Sequence, residues 1–122
     1  RLAEDARVSA VFHAGLPTHP QRELIDRLAA TGGGTAGGSM IAFRCAAGAE
    51  AAIAFCDAVR IIANAPSLGD VESLVILPRF TSHSNVSADA REEAGIGYDN
   101  VRLSIGLEYP EDLWADIDAA LR

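Results

Sequence analysis

The chain has 122 residues, of which 49% are hydrophobic and 22% charged, as expected for one globular domain with a core of its own. Its net charge of -7 argues against a nucleic acid or an anionic membrane as a partner, because both bind to cationic surface. No apolar run approaches the roughly 20 residues of a membrane span, and the first residues do not resemble a signal peptide.

Three further features of the composition predict the context of the chain. It begins at Arg1 and has Met40 as its only methionine, so we expect it to be a piece of a longer polypeptide. All ten cationic side chains are arginine, so no Schiff base between a lysine and a carbonyl cofactor can form within these residues. Cys45 and Cys56 match no C-x-x-C motif and are predicted to be reduced core residues, consistent with a cytoplasmic protein.

In the first third of the chain, residues 1–7 are charged and are predicted to be a linker or the tail of a preceding helix. The alternation over Val8–Phe12 predicts a strand. A turn-rich loop follows, and Pro20 favours the start of a helix over 20–29. We expect one stripe of that helix to be buried, formed by Leu24, Ile25 and Leu28.

A glycine-rich segment covers residues 31–39 and contains a literal G-x-G-x-x-G from Gly32 to Gly37. A dinucleotide-binding loop of this kind needs a strand before it and a helix after it. Here a predicted helix precedes the glycines and a predicted strand, 40–44, follows them. The segment is therefore predicted to be a flexible connector and not a phosphate loop.

The remainder alternates helices and strands. A helix is predicted over 48–60, with core positions Ile53, Phe55, Cys56 and Val59. The later elements are strands at 61–65, 73–77 and 101–108 and helices at 87–94 and from Pro110 onward, whose apolar stripe is Leu113, Trp114, Ile117, Ala120 and Leu121. Strands alternating with helices that need only one side of the sheet predict an α/β two-layer sandwich with one open face.

The strand over 101–108, V-R-L-S-I-G-L-E, carries the main candidate site. Its alternation predicts Val101, Leu103, Ile105 and Leu107 beneath the helices and Arg102, Ser104, Gly106 and Glu108 on the opposite face. The small side chains of Ser104 and Gly106 suggest open surface beside Arg102, whose guanidinium would suit a carboxylate or a phosphate. The alternative is that Arg102 forms an ordinary salt bridge at a sheet edge.

No set of residues suited to catalysis is apparent from the sequence. The histidines His13, His19 and His83 lack the spacing of metal ligands. The carboxylates Asp99, Glu108, Glu111 and Asp112 form no obvious acid–base pair, and no Ser/His/acid order is convincing. From its residues alone, the domain has an anion-binding candidate and no catalytic set.

Four motifs in order nevertheless resemble one family. They are 15–21 (G-L-P-T-H-P-Q), 67–74 (S-L-G-D-V-E-S-L), 82–84 (S-H-S) and 101–108. Together they resemble the small C-terminal domain of the Cys/Met-metabolism (trans-sulfuration) family of pyridoxal-phosphate (PLP) enzymes. That family includes cystathionine γ-synthase, cystathionine γ-lyase, methionine γ-lyase and the homoserine sulfhydrylases. The resemblance runs from about Val8 to Leu121.

The resemblance has definite implications. It implies a small, mostly antiparallel sheet with helices on one face, as in the C-terminal domain of fold-type I PLP enzymes. It places Arg102, Ser67 and Leu68 at the substrate, with Arg102 holding the α-carboxylate and Ser67 at the domain junction. It implies that residues 8–122 form this domain and that PLP, its lysine and most phosphate ligands lie in a preceding domain, in a homo-oligomer that is tetrameric at full length. No catalytic, cofactor-binding or metal-binding residue is then expected here.

The predicted function is the carboxylate-binding part of a lyase or transferase that acts on a sulfur amino acid or an activated homoserine. Residues 1–122 alone are expected to be inactive. Residues 77–80, L-P-R-F, replace the family's more usual His-Pro-Ala run, so Arg79 and Phe80 could reshape the substrate side. One alternative is a free-standing ligand-binding or interaction domain that kept the fold without the chemistry. Another is a proteolytic remnant of a longer enzyme.

Overall fold

The computed structural model describes residues 1–32 and 37–122, so residues 33–36 of the predicted glycine connector lie outside the described residues. A short 3-10 turn, Leu2–Glu4, precedes the regular elements. In chain order these are β1 (Val8–Phe12), α1 (Arg22–Gly32), β2 (Met40–Cys45), α2 (Ala49–Ala58), β3 (Ala63–Asn64), β4 (Leu74–Ile76), α3 (Ala88–Glu93), β5 (Asn100–Ser104) and α4 (Pro110–Ala120).

The described strands form one five-stranded sheet in the order β1-β2-β5-β4-β3. All neighbours are antiparallel except β3 and β4, which run parallel. Helix α2 packs on β2 and β5 and also against α4, so these two helices cover one face of the sheet. The predicted two-layer α/β sandwich with a mostly antiparallel sheet is therefore confirmed.

The core lies between the sheet and the pair α2 and α4. The rings of Phe43 and Phe55, both fully buried, meet edge to face with centroids 5.2 Å apart. The other buried apolar residues include Cys56, Ile62, Val75, Val101, Leu103, Leu113, Ile117 and Ala120. The predicted stripe of α4 is confirmed, with Trp114 and Leu121 half-buried at its margin.

Helix α1 does not follow the prediction. Leu24 is 42% exposed and Leu28 is 62% exposed, so the stripe expected to be buried is largely open to solvent. The spacing identified an amphipathic helix correctly, but α1 makes no extensive contact with any other described element. In α2, Phe55 and Cys56 are buried as predicted, together with Ala52. Val59, just after the helix, packs against the core and is half-buried, and Ile53 is also half-buried.

The bounds of three predicted elements also differ from those observed. The strand expected at 61–65 is reduced to Ala63–Asn64, the helix expected from Pro20 begins at Arg22, and the strand expected over 101–108 ends at Ser104.

Residues 1–7 lie against α4, since Arg1 pairs with Glu111 at 2.6 Å and Arg7 pairs with Asp118 at 2.6 Å. No helix in the described ranges is both long and apolar enough to cross a bilayer.

One buried carboxylate joins α4 to the segment after α2. Asp116 is 8% exposed and accepts backbone N–H bonds from Arg60 at 2.8 Å, Ile61 at 3.0 Å and Ile62 at 3.1 Å. These three amides would otherwise lack partners at the end of α2, where the chain turns toward β3. The amphipathic pattern of α4 gave no indication of this role.

The two cysteines are buried and unpaired, as predicted. Burial raises the pKa of the Cys45 thiol to about 11 and that of Cys56 to about 12. Because only a thiolate is an effective nucleophile, neither should react in the folded protein at pH 8. We expect iodoacetamide to label both cysteines only after denaturant is added, as measured by peptide mass spectrometry. Labelling of either one under native conditions would contradict this prediction.

Candidate functional site

Arg102 lies on the central strand of the sheet, on the face opposite α2 and α4. In the strand register it stands beside Ala42 of β2 and Ile76 of β4. Its chain neighbours Val101 and Leu103 are fully buried in the core between the sheet and the helices. Because successive side chains of a strand alternate between faces, Arg102 is directed to the other side, as predicted.

The guanidinium of Arg102 is anchored at one point. Its Nη2 donates to the backbone carbonyl oxygen of Ser67 at 3.0 Å, and its Nε is buried with no hydrogen-bond partner. Among the described residues no carboxylate lies within 4 Å of it, so the alternative of an ordinary salt bridge at a sheet edge is not what the structure shows. Burial lowers the pKa of Arg102 from its usual value. A half-buried guanidinium with unused N–H donors is suited to bind a carboxylate.

The surface beside Arg102 differs from the prediction. Ser104 is 1% exposed, and its Oγ accepts a hydrogen bond from the Gly69 amide at 2.9 Å. A Cβ atom added at Gly106 would lie 2.3 Å from the carbonyl oxygen of Val71. Both residues are therefore small because the turn over 67–73 packs directly on them, and not because they leave open surface.

The end of the predicted strand also departs from alternation. Ile105 is half-buried, but Leu107 is 81% exposed and is not in the core. The reason is that the chain leaves the sheet after Ser104, and the Leu107 amide then donates to the carbonyl oxygen of Val71 at 2.8 Å. The segment after β5 pairs with the turn over 67–73 instead of continuing the sheet.

Three residues hold that turn in place, and we call them the turn latch: Ser73, Gly106 and Glu108. The carboxylate of Glu108 accepts from the Ser73 amide at 2.6 Å and from the Ser73 hydroxyl at 2.7 Å. The Ser73 Oγ in turn accepts from the Gly106 amide at 2.8 Å. The turn latch fixes the segment whose Ser67 carbonyl contacts Arg102. The sequence placed Glu108 on the same strand face as Arg102 and showed no acid–base partner for it, but it carried no signal for this role.

The ionisation of Glu108 should matter to stability. Burial opposes ionisation of Glu108, but the hydrogen bonds from Ser73 outweigh this and lower the pKa of the carboxyl below its usual 4.5. Because the pKa of Glu108 is lower in the folded protein, the turn latch adds its full contribution to the free energy of unfolding above pH 4.5. That contribution is lost as the pH falls below 4.5 and the carboxylate is protonated. We therefore expect Glu108→Gln to lower the unfolding free energy of the domain at pH 7 by about 1–2 kcal/mol and to make the loss of stability below pH 4.5 smaller than in the wild type.

Urea unfolding at pH 7 and pH 3.5 measures this effect. The matched control is Glu111→Gln, which removes an exposed pair with Arg1 and should change stability much less at pH 7. Equal effects of the two substitutions at pH 7 would show that the turn latch adds nothing beyond a surface ion pair.

The three residues predicted at the substrate lie on two elements. Arg102 and Ser67 are brought together, although through the carbonyl oxygen of Ser67 and not its hydroxyl. Leu68 follows on the same turn with 59% of its surface exposed. The arrangement offers one oriented guanidinium next to an exposed turn. This geometry can bind and orient a carboxylate.

The histidines have structural partners. The Nδ1 of His13 accepts from the Gly15 amide at 3.0 Å, so its Nε2 is the donor to the carbonyl oxygen of Gly38 at 3.1 Å. His83 contacts Ser82 through its Nδ1 at 2.8 Å. Within 1–32 and 37–122, no three His, Cys, Asp or Glu side chains cluster as metal ligands would.

Comparison with known proteins adds to this geometry. A family model described as Cys/Met metabolism PLP-dependent enzyme matches residues 1–122. Cystathionine gamma-lyase of Saccharomyces cerevisiae is 39% identical over 125 residues, covering 98% of this chain and 30% of that protein. O-succinylhomoserine sulfhydrylase of Pseudomonas aeruginosa is 37% identical over 120 residues, covering 98% of this chain and 28% of that protein.

Solved structures agree with the sequence matches. Cystathionine gamma synthase from Xanthomonas oryzae pv. oryzae, determined in complex with cystathionine, has a TM-score of 0.86 and 39% identity. The match covers 98% of this chain and 30% of that one, so the chain spans less than a third of the length of these relatives. Because the family model extends over all 122 residues, the chain belongs to the Cys/Met metabolism family of PLP-dependent enzymes.

Proposed function

We propose that this chain is the C-terminal, substrate-carboxylate-binding domain of a trans-sulfuration enzyme. The enzyme would act at the β or γ carbon of a sulfur amino acid or of an activated homoserine, as the names of the relatives suggest. The observation that carries the proposal is Arg102, a half-buried guanidinium with no carboxylate partner among the described residues, held by the Ser67 carbonyl on the face of the sheet opposite α2 and α4.

The residues of this chain do not fit the role of cofactor holder. The chain contains no lysine, and a lysine is the residue that attaches PLP covalently to a protein. The proposal therefore assigns the cofactor site to polypeptide outside these residues, in a preceding domain. When bound there, PLP supplies the electron-withdrawing ring that stabilises negative charge on the substrate Cα. Arg102 fits the substrate carboxylate and not the cofactor.

Arg102 would orient the substrate. Its Nε is buried and one N–H of Nη2 is used by Ser67, so the two Nη atoms are left to pair end-on with the α-carboxylate. A charge-assisted pair of this kind contributes about 1.5–3 kcal/mol. Fixing the carboxylate limits rotation of the substrate about its Cα, and this selects the bond that faces the cofactor. Ser67 and Leu68 would form the exposed edge of the same site.

The wider context of the proposal follows from the family. We propose a cytoplasmic enzyme whose subunits assemble as a homo-oligomer, with a tetramer as the expected form. Size-exclusion chromatography with light scattering on the complete polypeptide would measure the subunit number. A monomer at micromolar concentration would contradict the assembly while leaving the role of Arg102 standing.

Activity is tested with the complete natural polypeptide that contains these residues, loaded with PLP. The expected result is turnover of cystathionine, or of an O-acyl homoserine with a thiol, measured as released thiol or new thioether. A chain of residues 1–122 alone should show no turnover under the same conditions. A complete polypeptide that binds these amino acids but converts none of them would favour the non-catalytic ligand-binding alternative.

A further inference from the structure

A second group of cations does not include Arg102, and we call it the arginine cluster: Arg44, Arg79 and Arg91. Arg44 belongs to β2, Arg79 follows β4, and Arg91 lies in α3, yet all three line one cavity of about 320 Å³. Neither Arg102 nor Ser67 lines it. A cavity of this size is within the range of small-ligand sites.

Two of the three guanidiniums are held in fixed positions by neutral groups. Arg44 donates from Nε to the Asn100 side chain at 2.9 Å and from Nη2 to the Gly95 carbonyl at 2.6 Å. The Arg79 guanidinium lies 4.0 Å from the centre of the Tyr98 ring and also donates to the Tyr98 hydroxyl. Because these partners are neutral, they fix the positions of the Arg44 and Arg79 guanidiniums without neutralising their positive charges.

Arg91 is the most enclosed member of the arginine cluster. It is 8% exposed, its Nη1 donates to the carbonyl oxygens of His83 and Val86, and its Nε is buried without a hydrogen-bond partner. Two carbonyl groups do not neutralise a buried cation, and burying a charge without a counter-charge is costly.

No carboxylate of the described residues lies within 4 Å of any member of the arginine cluster, although Glu92 also lines the cavity. The chain as a whole has 17 acidic and 10 basic side chains, so acidic side chains are in excess. By contrast, four arginines outside the cluster, Arg1, Arg7, Arg22 and Arg122, each have a carboxylate partner. Three cations that share a cavity repel one another, and a bound dianion would reverse that repulsion.

We propose that the arginine cluster binds a phosphate group, either free phosphate or the phosphate of a small ester. A phosphate carries up to two negative charges and three or more acceptor oxygens, which match several oriented guanidiniums better than a single carboxylate does. The Tyr98 ring keeps Arg79 in place, and Arg44 and Arg91 supply charge from the other two elements. This site is independent of the substrate-carboxylate role proposed for Arg102.

The test uses isothermal titration calorimetry with inorganic phosphate in a chloride buffer. The protein is the complete polypeptide with PLP bound, so that the cofactor's own phosphate site is filled. We expect saturable binding with one site per subunit, weakened about tenfold or more by Arg79→Gln and by Arg44→Gln. Arg91 is left unchanged because its hydrogen bonds support the loop before α3. Phenyl phosphate, titrated separately, distinguishes an ester site, which binds it at least as tightly, from a site for free phosphate.

Two controls make the result decisive. Arg102→Gln should leave phosphate binding unchanged, so a failure of the substrate-site proposal and a failure of this one give different results. Arg60→Gln removes an exposed arginine outside the cavity and should also have no effect. Absence of saturable binding up to about 50 mM phosphate would overturn the proposal, because a site with a weaker Kd than this would contribute almost no binding free energy. Equal binding by wild type, Arg79→Gln and Arg44→Gln would overturn it too.

Discussion

Replacing Arg102 with alanine in the complete enzyme is expected to raise KM for the amino-acid substrate by about 10- to 100-fold. The magnitude corresponds to the loss of one charge-assisted pair of about 1.5–3 kcal/mol. We expect kcat to fall as well, because a carboxylate that is no longer fixed allows unproductive orientations of the substrate. Steady-state kinetics give both constants, and the absorbance of bound PLP should stay unchanged because Arg102 is not assigned to the cofactor.

The conservative variant sharpens this prediction. Arg102→Lys keeps the charge but replaces a planar fork with a single ammonium, so it should recover little of the lost affinity. Arg60→Ala is the matched control, since Arg60 is exposed and forms no ion pair with the described residues. A KM within twofold of wild type for Arg102→Ala would remove Arg102 from the substrate site. Full rescue by lysine would argue that only net charge matters there.

Asp116→Ala is expected to lower the unfolding free energy of the domain by about 2–4 kcal/mol. The substitution leaves the amides of Arg60, Ile61 and Ile62 without their acceptor in a mostly buried position. Each buried amide that loses its partner costs about 1–3 kcal/mol, less where water can enter. Urea unfolding of the 122-residue chain, followed by circular dichroism, measures the change.

Two variants serve as comparisons for Asp116. Asp116→Asn keeps one acceptor oxygen and should cost roughly half as much as alanine, because its NH2 group cannot accept from the backbone. Asp112→Ala removes an exposed carboxylate from the first turn of the same helix and should cost under about 1 kcal/mol. An equal loss for Asp112→Ala and Asp116→Ala would mean that the three amides do not depend on Asp116.

The position of Arg102 in the candidate site could be predicted from the alternation of apolar and polar residues along one strand. Four adjacent residues were enough to put Val101 and Leu103 on the buried side and Arg102 on the other, because the direction of side chains in a strand is a local property. The same pattern failed for Leu107. Where β5 ends depends on the turn over 67–73, and no residue near Leu107 in the sequence indicates that turn.

The stripe of α1 shows a different limit. Leu24 and Leu28 have the spacing of a buried face, and the helix does form, yet both are more than a third exposed. Amphipathic spacing predicts that a helix has an apolar side, but it does not predict whether another element covers that side. Ser104 and Gly106 illustrate the converse, since small residues were interpreted as open surface and in fact lie beneath another segment.

By itself the sequence determined the kinds of element, most of the core, the family and the side of the sheet on which Arg102 lies. These properties depend on residues that are close together in the chain or on motifs that can be matched one by one. Only the tertiary structure decided the contact of Arg102 with Ser67, the turn latch and the role of Asp116. The hydrogen bonds that make them join residues between 33 and 56 positions apart, and local periodicity contains no information about such pairs.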